Sequence, residues 1–408
     1  MTESRAVKEI FAEIKIALEQ EQTEKVKELL DELFPADLAE YFHVLNFEQQ
    51  QEVLSILEPE LAVGVIRELE EDIRPKLISS FEADYIARRF LDYMDSDDAV
   101  DLLNQLPNER ADEIISYMTD MELSRNIVSL LNYEENTAGG LMAKELIKVN
   151  VNWTLSQCVL EIRSQAENVA KVYSVYVVDN FDKLLGIVSL KAIILNHADT
   201  KVADIYEDDI VSVKTHSTAE EVASLMKKYD LVVLPVVDAL NRLLGRITID
   251  DVVDFITEEA DKDYQLMSGI SEDVEITDKV WILSRARLPW LLIGLLGGIA
   301  SSRLVTSFEG DLLIHPQLAF FMPLVAAMGG NAGVQSSAII VQGLANNTLG
   351  TRNVLPKLGK EFMVALLNGL ICALIIYGYN FIIGNPDDVS YTVAFALISV
   401  IIFASILG

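Results

Sequence analysis

Residues 323–337 read PLVAAMGGNAGVQSS and place three glycines, an asparagine and a glutamine within an apolar background. The stretch lies inside one of four long apolar runs, which are Leu288–Ser307, Gln317–Leu344, Phe362–Ile383 and Val389–Leu407. Each run is long enough to cross a hydrocarbon layer of about 30 Å as a helix. The sequence therefore predicts an α-helical transmembrane domain with four helices over residues 288–408, and the polar side chains of residues 323–337 lie at membrane depth.

The glycines of this stretch predict an interruption in the second membrane helix. The run is longer than a helix perpendicular to the membrane requires, so either tilt or a break must absorb the excess length, and Gly329, Gly330 and Gly333 around Asn331 favour a break. Irregular backbone is tolerated at membrane depth where it is buried in protein or lines a water-filled cavity. We therefore expect the helix to break near Gly329 and Gly330.

Two amide side chains make this stretch a candidate ion path. Asn331 and Gln335 lie one helical turn apart, so their amides can face the same cavity. Their carbonyl oxygens suit a hard cation or its hydration water. This interpretation makes Gly330, Asn331 and Gln335 pore residues. An alternative interpretation is that the small residues allow close helix packing and the amides form hydrogen bonds between helices.

Charge is segregated along the chain. Residues 1–287 carry 28 basic and 58 acidic side chains, whereas the remainder is nearly uncharged. So acidic a surface disfavours nucleic acid and anionic lipid as partners and favours cations. The N-terminal helix has no uninterrupted apolar core, so we expect no signal peptide. Basic residues before the first apolar run and in the loop at 346–360 predict that both positions are cytoplasmic.

The soluble part divides into a helical region and a tandem repeat. Residues 1–135 show apolar residues spaced by three and four, with short breaks, and predict an all-α superhelical domain. Within 136–255, the segment from Tyr176 (YVVDNFDKLLGIVSLKAII) matches the one from Leu234 (LPVVDALNRLLGRITIDDVV). We predict two α/β copies, at about 137–198 and 199–255, each ordered strand, helix, strand, turn, strand, helix.

A strongly acidic helix follows the repeat. Residues 250–263 read DDVVDFITEEADKD, with seven carboxylates in fourteen residues, and the segment 256–287 is predicted to connect the repeat to the membrane. Asp251 and Asp254 share one helix face with Glu258 and Asp261, and like charges at this spacing repel. One interpretation is a solvated surface. The other is a face that binds divalent cations, because the cations would pull such faces together.

These features together resemble a known family. The stretch at 323–337, the RARLPW sequence at 285–290, and the upstream helices with a tandem repeat resemble the MgtE family of bacterial magnesium channels, and the repeat resembles a CBS domain pair. The resemblance implies a homodimer in the bacterial inner membrane, with cytoplasmic N-terminal domains and a connecting or "plug" helix. It also implies passive Mg²⁺ flow that stops when cytosolic Mg²⁺ is high.

The resemblance also implies specific metal-sensing residues. They are Asp97, Asp101, Glu220, Asp230, Asp251, Asp254, Glu259 and Asp263. Family carboxylates expected near Thr218 and Lys262 are not present at those positions. The family has a fifth membrane helix with the main pore carboxylate, whereas this sequence ends within a fourth apolar run, so we expect the natural chain to continue.

A nucleotide site is a further expectation from the CBS resemblance. The second copy ends GRITIDD, and Thr248 and Asp251 correspond to a pair that often contacts a nucleotide ribose and phosphate in CBS domains. The first copy has Ser189 but Ala192, so it lacks the acid. We therefore expect one site, for an adenine nucleotide such as ATP. The alternative is that Asp251 only caps the helix or binds Mg²⁺.

The remaining motifs argue against an enzyme and leave two other functions open. The sequence has no Walker A loop, no GxSxG and no HExxH motif, and its four histidines are scattered. One alternative is a membrane-anchored sensor of Mg²⁺ or nucleotide that transports nothing. Another is a Mn²⁺ or Co²⁺ transporter, because oxygen ligands favour Mg²⁺, Ca²⁺ or Mn²⁺ without ranking them.

Overall fold

The chain forms two compact units, residues 1–257 and residues 258–408. The computed structural model describes most of the chain. The described residues are 3–20, 22–70, 73–166, 172–272, 274, 279–345, 354–384 and 387–407. The architecture is mostly helical, with small sheets confined to the middle of the chain.

The N-terminal region of the first unit is built from short α-helices, as the sequence predicts. In the described residues these are α1 (Glu3–Glu19), α2 (Thr23–Leu30), α3 (Pro35–Phe42), α4 (Phe47–Ile56), α5 (Pro59–Glu68), α6 (Arg74–Ile78), α7 (Ala83–Arg89), α8 (Ser96–Asn104), α9 (Asn108–Ser116) and α10 (Met121–Leu130). Proline begins α3 and α5, where a missing N–H costs no helix hydrogen bond. Helices two apart in the chain pack together, such as α3 with α5 and α8 with α10, which produces a superhelical stack.

The tandem repeat folds as two similar α/β units, which confirms the predicted order of elements. The first has β1 (Ile147–Asn150), α11 (Leu155–Gln165), β2 (Val175–Val178), β3 (Leu184–Val188) and α12 (Leu190–Leu195). The second has β4 (Val213–Lys214), α13 (Ala219–Tyr229), β5 (Val233–Val237), β6 (Leu243–Thr248) and α14 (Ile249–Met267). In each three-stranded sheet the first two strands are parallel and the last two are antiparallel.

The two hairpin turns of the repeat are held by the same side-chain hydrogen bonds. The Asp179 carboxylate accepts hydrogen bonds from the backbone N–H groups of Phe181 and Lys183, at 2.8 and 3.0 Å. The equivalent Asp238 carboxylate accepts from Leu240 and Arg242, both at 2.8 Å. An Asx turn of this kind favours a following residue with positive φ. That residue is Asp182 in one copy and Asn241 in the other, both with φ of 60°.

The second copy shares a hydrophobic core with the N-terminal helices. Its buried Met226, Leu234 and Ile247 belong to the same cluster as residues of the helical stack, whereas the first copy has a separate core. Burial of this apolar surface holds the start of α14 against the helical stack, because α14 follows β6 directly. Val252, the first buried apolar residue of α14, belongs to that shared core.

The second unit contains the long apolar helices. They are α15 (Val280–Thr306), α17 (Gln317–Ala345), α18 (Val354–Ile383) and α19 (Asp387–Leu407), with the short α16 (Glu309–Ile314) between the first two. Among the described residues, four helices are long and apolar enough to cross a membrane. Helix α19 packs against both α17 and α18, whereas α15 is exposed along almost its whole length.

The predicted break in the second membrane helix is wrong. Helix α17 is continuous from Gln317 to Ala345. An open backbone group in hydrocarbon costs several kcal/mol, so the helix retains its hydrogen bonds despite the glycines. Gly329 instead admits α19, because a Cβ there would lie 2.9 Å from Cγ2 of Val400; a Cβ on Gly333 would make an ordinary contact, 3.7 Å from the carbonyl oxygen of Ala404.

Gly245 of β6 provides a test of how tightly the second copy is held. Next to it, the backbones of Ala143 and Arg246 exchange two hydrogen bonds, at 2.8 and 2.9 Å. A Cβ on Gly245 would lie 2.6 Å from the Ala143 carbonyl oxygen. We expect Gly245→Ala to lower the free energy of unfolding by on the order of 2 kcal/mol, measured by thermal unfolding. Gly310→Ala, where a Cβ meets nothing within 4 Å, is the control, and equal stability of both variants would contradict the account.

Candidate functional site

Carboxylates from the helical stack and from the second repeat copy gather in the first unit. They come from the start of α8, the start of α14 and the segment before β1. This acidic cluster comprises Asp95, Asp97, Asp98, Glu145, Asp251 and Asp254. The structure thus brings together three of the predicted sensing residues. Asp97 lies about 150 residues before Asp251 and Asp254 in the sequence.

The start of α8 supplies half of the cluster for a local reason. Asp95 is the N-cap residue of α8, and Asp97 and Asp98 lie in its first turn. The positive end of the helix dipole and the free N–H groups there favour negative side chains. The carboxylate of Asp97 accepts a hydrogen bond from the backbone N–H of Asp98 at 2.9 Å.

Glu145 and Asp251 are fixed by hydrogen bonds. Ser96, which is fully buried, donates its backbone N–H and its hydroxyl to one carboxylate oxygen of Glu145, at 3.1 and 2.7 Å. Thr248 donates its backbone N–H to Asp251 at 3.1 Å and also its hydroxyl. Because Thr248 directly precedes α14, this contact caps the helix in the manner of a capping box.

Burial and mutual repulsion raise the pKa values of the aspartates in the cluster. Burial raises the pKa of Asp97 well above its usual range, and the nearby charge of Asp251 adds to the effect. Burial also raises the pKa of Asp98 to about 7, although Arg67 opposes the shift. The pKa values of Asp251 and Asp254 are raised mainly by burial as well. The fully ionised cluster is therefore unfavourable unless positive charge is added.

Arginine side chains neutralise only part of this charge. Arg67 lies 3.9 Å from a carboxylate oxygen of Asp98, and its charge partly opposes the rise that burial causes in the pKa values of Asp95 and Asp254. Arg246, which is buried, donates from Nε to the backbone oxygen of Glu145 at 2.5 Å. The cluster keeps an excess of negative charge, and such an excess attracts cations.

The cluster suits a hydrated divalent cation better than a stripped one. In the part of the chain that the structure describes, no three His, Cys, Asp or Glu side chains converge closely enough to enclose one ion. Mg²⁺ usually keeps several of its waters and contacts one or two carboxylates. A divalent cation at these carboxylates would therefore be held partly through water.

The predicted pore residues lie on the outward face of α17. Gly330, Asn331 and Gln335 are all exposed. The opposite face is formed by Gly329, Gly333 and the buried Ser336, and it packs toward the remainder of the second unit. The amides of Asn331 and Gln335 are therefore available to a partner or an ion rather than buried within the chain.

Family models of known proteins match the helical region, the tandem repeat and the membrane region of this chain. A family model described as "MgtE intracellular N domain" matches residues 33–136, one described as "CBS domain" matches 138–198 and 202–258, and one described as "Divalent cation transporter" matches 322–408. "Magnesium transporter MgtE" of Thermus thermophilus is 31% identical over 400 residues, which cover 96% of this chain and 88% of the relative. The chain belongs to the MgtE family.

Other relatives agree with this assignment. "Magnesium transporter MgtE" of Bacillus subtilis is 28% identical over 408 residues, which span this chain and 90% of the relative. Among solved structures, "the soluble part of a magnesium transporter" is 31% identical with a TM-score of 0.57 and covers 62% of this chain and 99% of that one. The cytosolic domain of "the Mg2+ channel MgtE in complex with ATP" has the same identity and TM-score and covers 60% of this chain and 99% of that one. The predicted family, the helical N-terminal domain and the CBS pair are confirmed.

Several predicted sensing residues of this MgtE chain lie outside the cluster. Asp101 is exposed on α8, although its charge contributes to the raised pKa of Asp98. Glu220 lies in the first turn of α13, and Asp230 ends that helix with φ of 52°; both are exposed. Glu259, in the second unit, pairs with Lys262 at 3.3 Å, and Asp263 is half-buried there.

Sequence reasoning missed Asp95, Asp98, Glu145 and both arginines. Asp95 and Asp98 stand in the same DSDDAVD run as Asp97, so the run itself was the available signal. Glu145 carries no local signal, because its contact with Ser96 joins residues 49 apart in the chain. Arg67 and Arg246 come from helix and strand positions that look ordinary in sequence.

The CBS pair contains a small cavity beside the predicted nucleotide residues. It has room for about one water molecule, at 10 Å³, and is lined by Leu146, Ile147, Val172, Tyr173, Ser174, Tyr176 and Arg246. The guanidinium of Arg246 lies over the ring of Tyr173, 5.3 Å from its centroid. An adenine nucleotide is far larger than this space. Nucleotide binding would require Tyr173 or its neighbours to move.

The second unit ties the end of α14 to the first membrane helix. Gly269 has φ of +77°, and a Cβ there would lie 2.5 Å from Cδ1 of Trp290 on α15. Ser271 donates its backbone N–H and its hydroxyl to the carbonyl oxygen of Ala286, both at 3.0 Å. An ion pair of 3.0 Å joins Arg285 to Glu272. A displacement at the end of α14 is therefore passed directly to α15.

The raised pKa of Asp98 predicts that metal-free protein loses stability as pH rises. The pKa of Asp98 is raised from 3.8 in the unfolded chain to about 7 in the folded chain. Between these values the folded state binds more protons, so the free energy of unfolding falls as pH increases from about 4 to 7. We expect the melting temperature in EDTA to fall over this window.

Asp98→Asn removes one of the groups with a raised pKa and should reduce that fall by several degrees, measured by circular dichroism on the detergent-solubilised protein. Asp112→Asn, at an exposed position on α9, is the matched control and should keep the parent dependence. An Asp98→Asn protein with the full pH dependence of the parent would show that Asp98 is not the titrating group.

Proposed function

We propose that this chain carries Mg²⁺ across the bacterial inner membrane and that cytosolic Mg²⁺ bound in the acidic cluster favours the closed state. The observation that carries the proposal is the acidic cluster itself, where burial and repulsion raise carboxyl pKa values at a contact between two elements. The relatives named as magnesium transporters, which match this chain over most of their length, supply the transported ion. The proposal assigns the chain no enzymatic reaction.

The sensing step follows from charge compensation. Without Mg²⁺, the carboxylates of α8 and α14 repel one another, and the contact between the helical stack and α14 is weakened. With Mg²⁺, hydrated ions between the carboxylates stabilise that contact. Two unit charges about 4 Å apart interact by about 4 kcal/mol at an effective dielectric near 20. A few such pairs suffice, because about 5.5 kcal/mol moves a two-state equilibrium from 1:99 to 99:1.

Further sensing residues extend the same surface in this proposal. Glu220 and Asp230 in the second copy, Asp101 on α8, and Glu259 and Asp263 on the connecting helix provide additional carboxylates. The rigid connection between Gly269 and Trp290 then carries the state of α14 to the first membrane helix. The pairing of Glu259 with Lys262 lowers the charge available at that position.

The ion path is proposed to run along the outward face of α17. Gly330, Asn331 and Gln335 lie on that face, and amide oxygens are suitable ligands for the hydration water of Mg²⁺. A face of this kind is costly against lipid, because an amide there loses its hydrogen bonds. A second copy of the chain would enclose the path, which is the reason we propose a homodimer.

The cytosolic unit also has apolar surface that suits a dimer. Ile194 and Leu195 on α12 are exposed by 79% and 72%, and Leu190 lies on the same helix. Such a patch is unusual on a monomeric soluble surface. We propose that each subunit of this dimer has four domains with the limits that the sequence predicts: 1–135, 136–255, 256–287 and 288–408.

Nucleotide binding is a second proposed property, supported by the relative solved with ATP. Tyr173 and Arg246 would hold the nucleotide, through ring stacking and a charge-assisted hydrogen bond. Asp251 accepts two hydrogen bonds from Thr248, so its first role is to cap α14. The pair predicted from sequence would therefore contribute less than Tyr173 and Arg246.

The sensing proposal predicts that loss of two cluster charges weakens closure. We expect Asp251→Asn combined with Asp254→Asn to raise the Mg²⁺ concentration for half-maximal protection from trypsin about fivefold or more. The matched control combines Glu109→Gln with Asp112→Asn, which removes two exposed charges of α9. An unchanged Mg²⁺ dependence in the double variant would refute the cluster as the sensor.

The pore proposal predicts that an amide on α17 is required for flux. We expect Asn331→Ala to reduce Mg²⁺ flux into proteoliposomes at least about tenfold, because a hydrated ion loses an oxygen ligand in a low-dielectric path. Dimer assembly, measured by size-exclusion chromatography, should be unchanged. Val334→Ala, an apolar truncation on the exposed side of the same helix, serves as control. Normal flux in the Asn331 variant would reduce the residue to a packing role.

A further inference from the structure

One carboxylate lies well inside a membrane helix of this chain. Glu361 directly precedes the apolar run Phe362–Ile383 of α18, and it is half-buried. Within the described parts of the four membrane-length helices, the other acidic side chains are Asp387 and Asp388 at the first positions of α19. The depth of Glu361 is shown by its partner Ser336 on α17, which lies eight residues, or about 12 Å at 1.5 Å per residue, before the end of the second apolar run at Leu344.

A buried hydroxyl holds this carboxylate. The Ser336 hydroxyl on α17 donates to Oε1 of Glu361 at 2.9 Å, and Ser336 is only 4% exposed. A hydroxyl donor stabilises negative charge on a carboxylate and fixes its orientation. One oxygen of Glu361 is thereby positioned on α17, and Oε2 remains as a further acceptor.

The contact between Ser336 and Glu361 lies at the same height along α17 as the proposed pore amides. Ser336 directly follows Gln335, so the carboxylate reaches α17 at the height of a proposed pore amide. Helices α17 and α18 each pack against α19. The close approach of Gly329 to Val400 fixes the position of α17 on α19, and the Ser336–Glu361 bond then connects α17 to α18.

An ionisable side chain at this depth is costly, and in membrane proteins such residues commonly mark ion pathways. We propose that Glu361, oriented by the Ser336 hydroxyl, is a cation-binding carboxylate beside the cytoplasmic part of the ion path, on the side of α17 that packs within the second unit. Its ligand is a hydrated divalent cation, which the carboxylate contacts through Oε2 or through water. This inference rests on the proposed transport of Mg²⁺.

The position of Glu361 beside neutral amides indicates why cation binding there needs a charged side chain and not only a polar one. Asn331 and Gln335 are neutral, so they contribute oxygens without compensating the charge of a dehydrating cation. A carboxylate one helix away provides that compensation. Lys357 and Lys360 lie within about one turn before Glu361, and their positive charges would weaken cation binding at the carboxylate and so favour release of the ion.

The test measures initial Mg²⁺ uptake into proteoliposomes against Mg²⁺ concentration for a set of variants of the full-length protein. Glu361→Gln keeps the shape and the ability to accept from Ser336 but removes the charge. We expect its half-saturating Mg²⁺ concentration to rise at least about threefold, with assembly unchanged by size-exclusion chromatography. Glu361→Asp, which keeps the charge, should retain more of the parent affinity, and Ser336→Ala should show a smaller rise of at least about twofold.

Glu309→Gln is the matched control, because it removes an exposed carboxylate from α16 in the same unit. Parent-like saturation in an assembled Glu361→Gln protein would overturn the role of Glu361 while leaving Mg²⁺ transport intact. If Glu361→Gln does not assemble, parent-like saturation in Ser336→Ala overturns it instead. A parent protein without any Mg²⁺ flux would refute the proposed function itself and this inference with it.

Discussion

Repulsion among carboxylates at the contact between α8 and α14 is the constraint on which the first unit depends. Hydrophobic burial in the shared core forces the two helix starts together, whereas their charges oppose the contact. The raised pKa values of Asp97 and Asp98 express that conflict. A cation that binds between the opposed charges would stabilise such a contact, and the proposed sensing relies on this effect.

The connection from this contact to the membrane is short and specific. Helix α14 begins at the cluster and continues without interruption to Met267. The turn that follows is held by Gly269 against Trp290 and by Ser271 on Ala286, so the end of α14 has little independent freedom. These contacts join the end of α14 to α15 within the second unit, and the proposed gating relies on that connection.

The sequence predicted those features that depend on periodicity and failed on those that depend on long-range contacts. Asp179 and Asp238, which lie 59 residues apart at equivalent positions of the repeat, make the same local hydrogen bonds in the two hairpin turns. The predicted break at Gly329 and Gly330 is wrong: α17 is continuous, and Val400 of α19 occupies the space that a side chain on Gly329 would take, a long-range contact with no signal in the local sequence. Asp97 and Asp251 are predicted through the family resemblance. Glu145 has no signal in the sequence, because its hydrogen bond to Ser96 joins residues that are far apart in the chain. The roles of the predicted site residues remain predictions.

The central claim is that Mg²⁺ on the cytosolic side closes a path for Mg²⁺. The most direct measurement is Mg²⁺ flux into proteoliposomes that contain the full-length protein, with Mg²⁺ on the side of the cytosolic unit titrated through the millimolar range. The account predicts a flux that decreases as this Mg²⁺ rises, while the gradient is held constant. A flux that does not respond to cytosolic-side Mg²⁺ would contradict the account, and complete absence of flux would leave a membrane-anchored sensor.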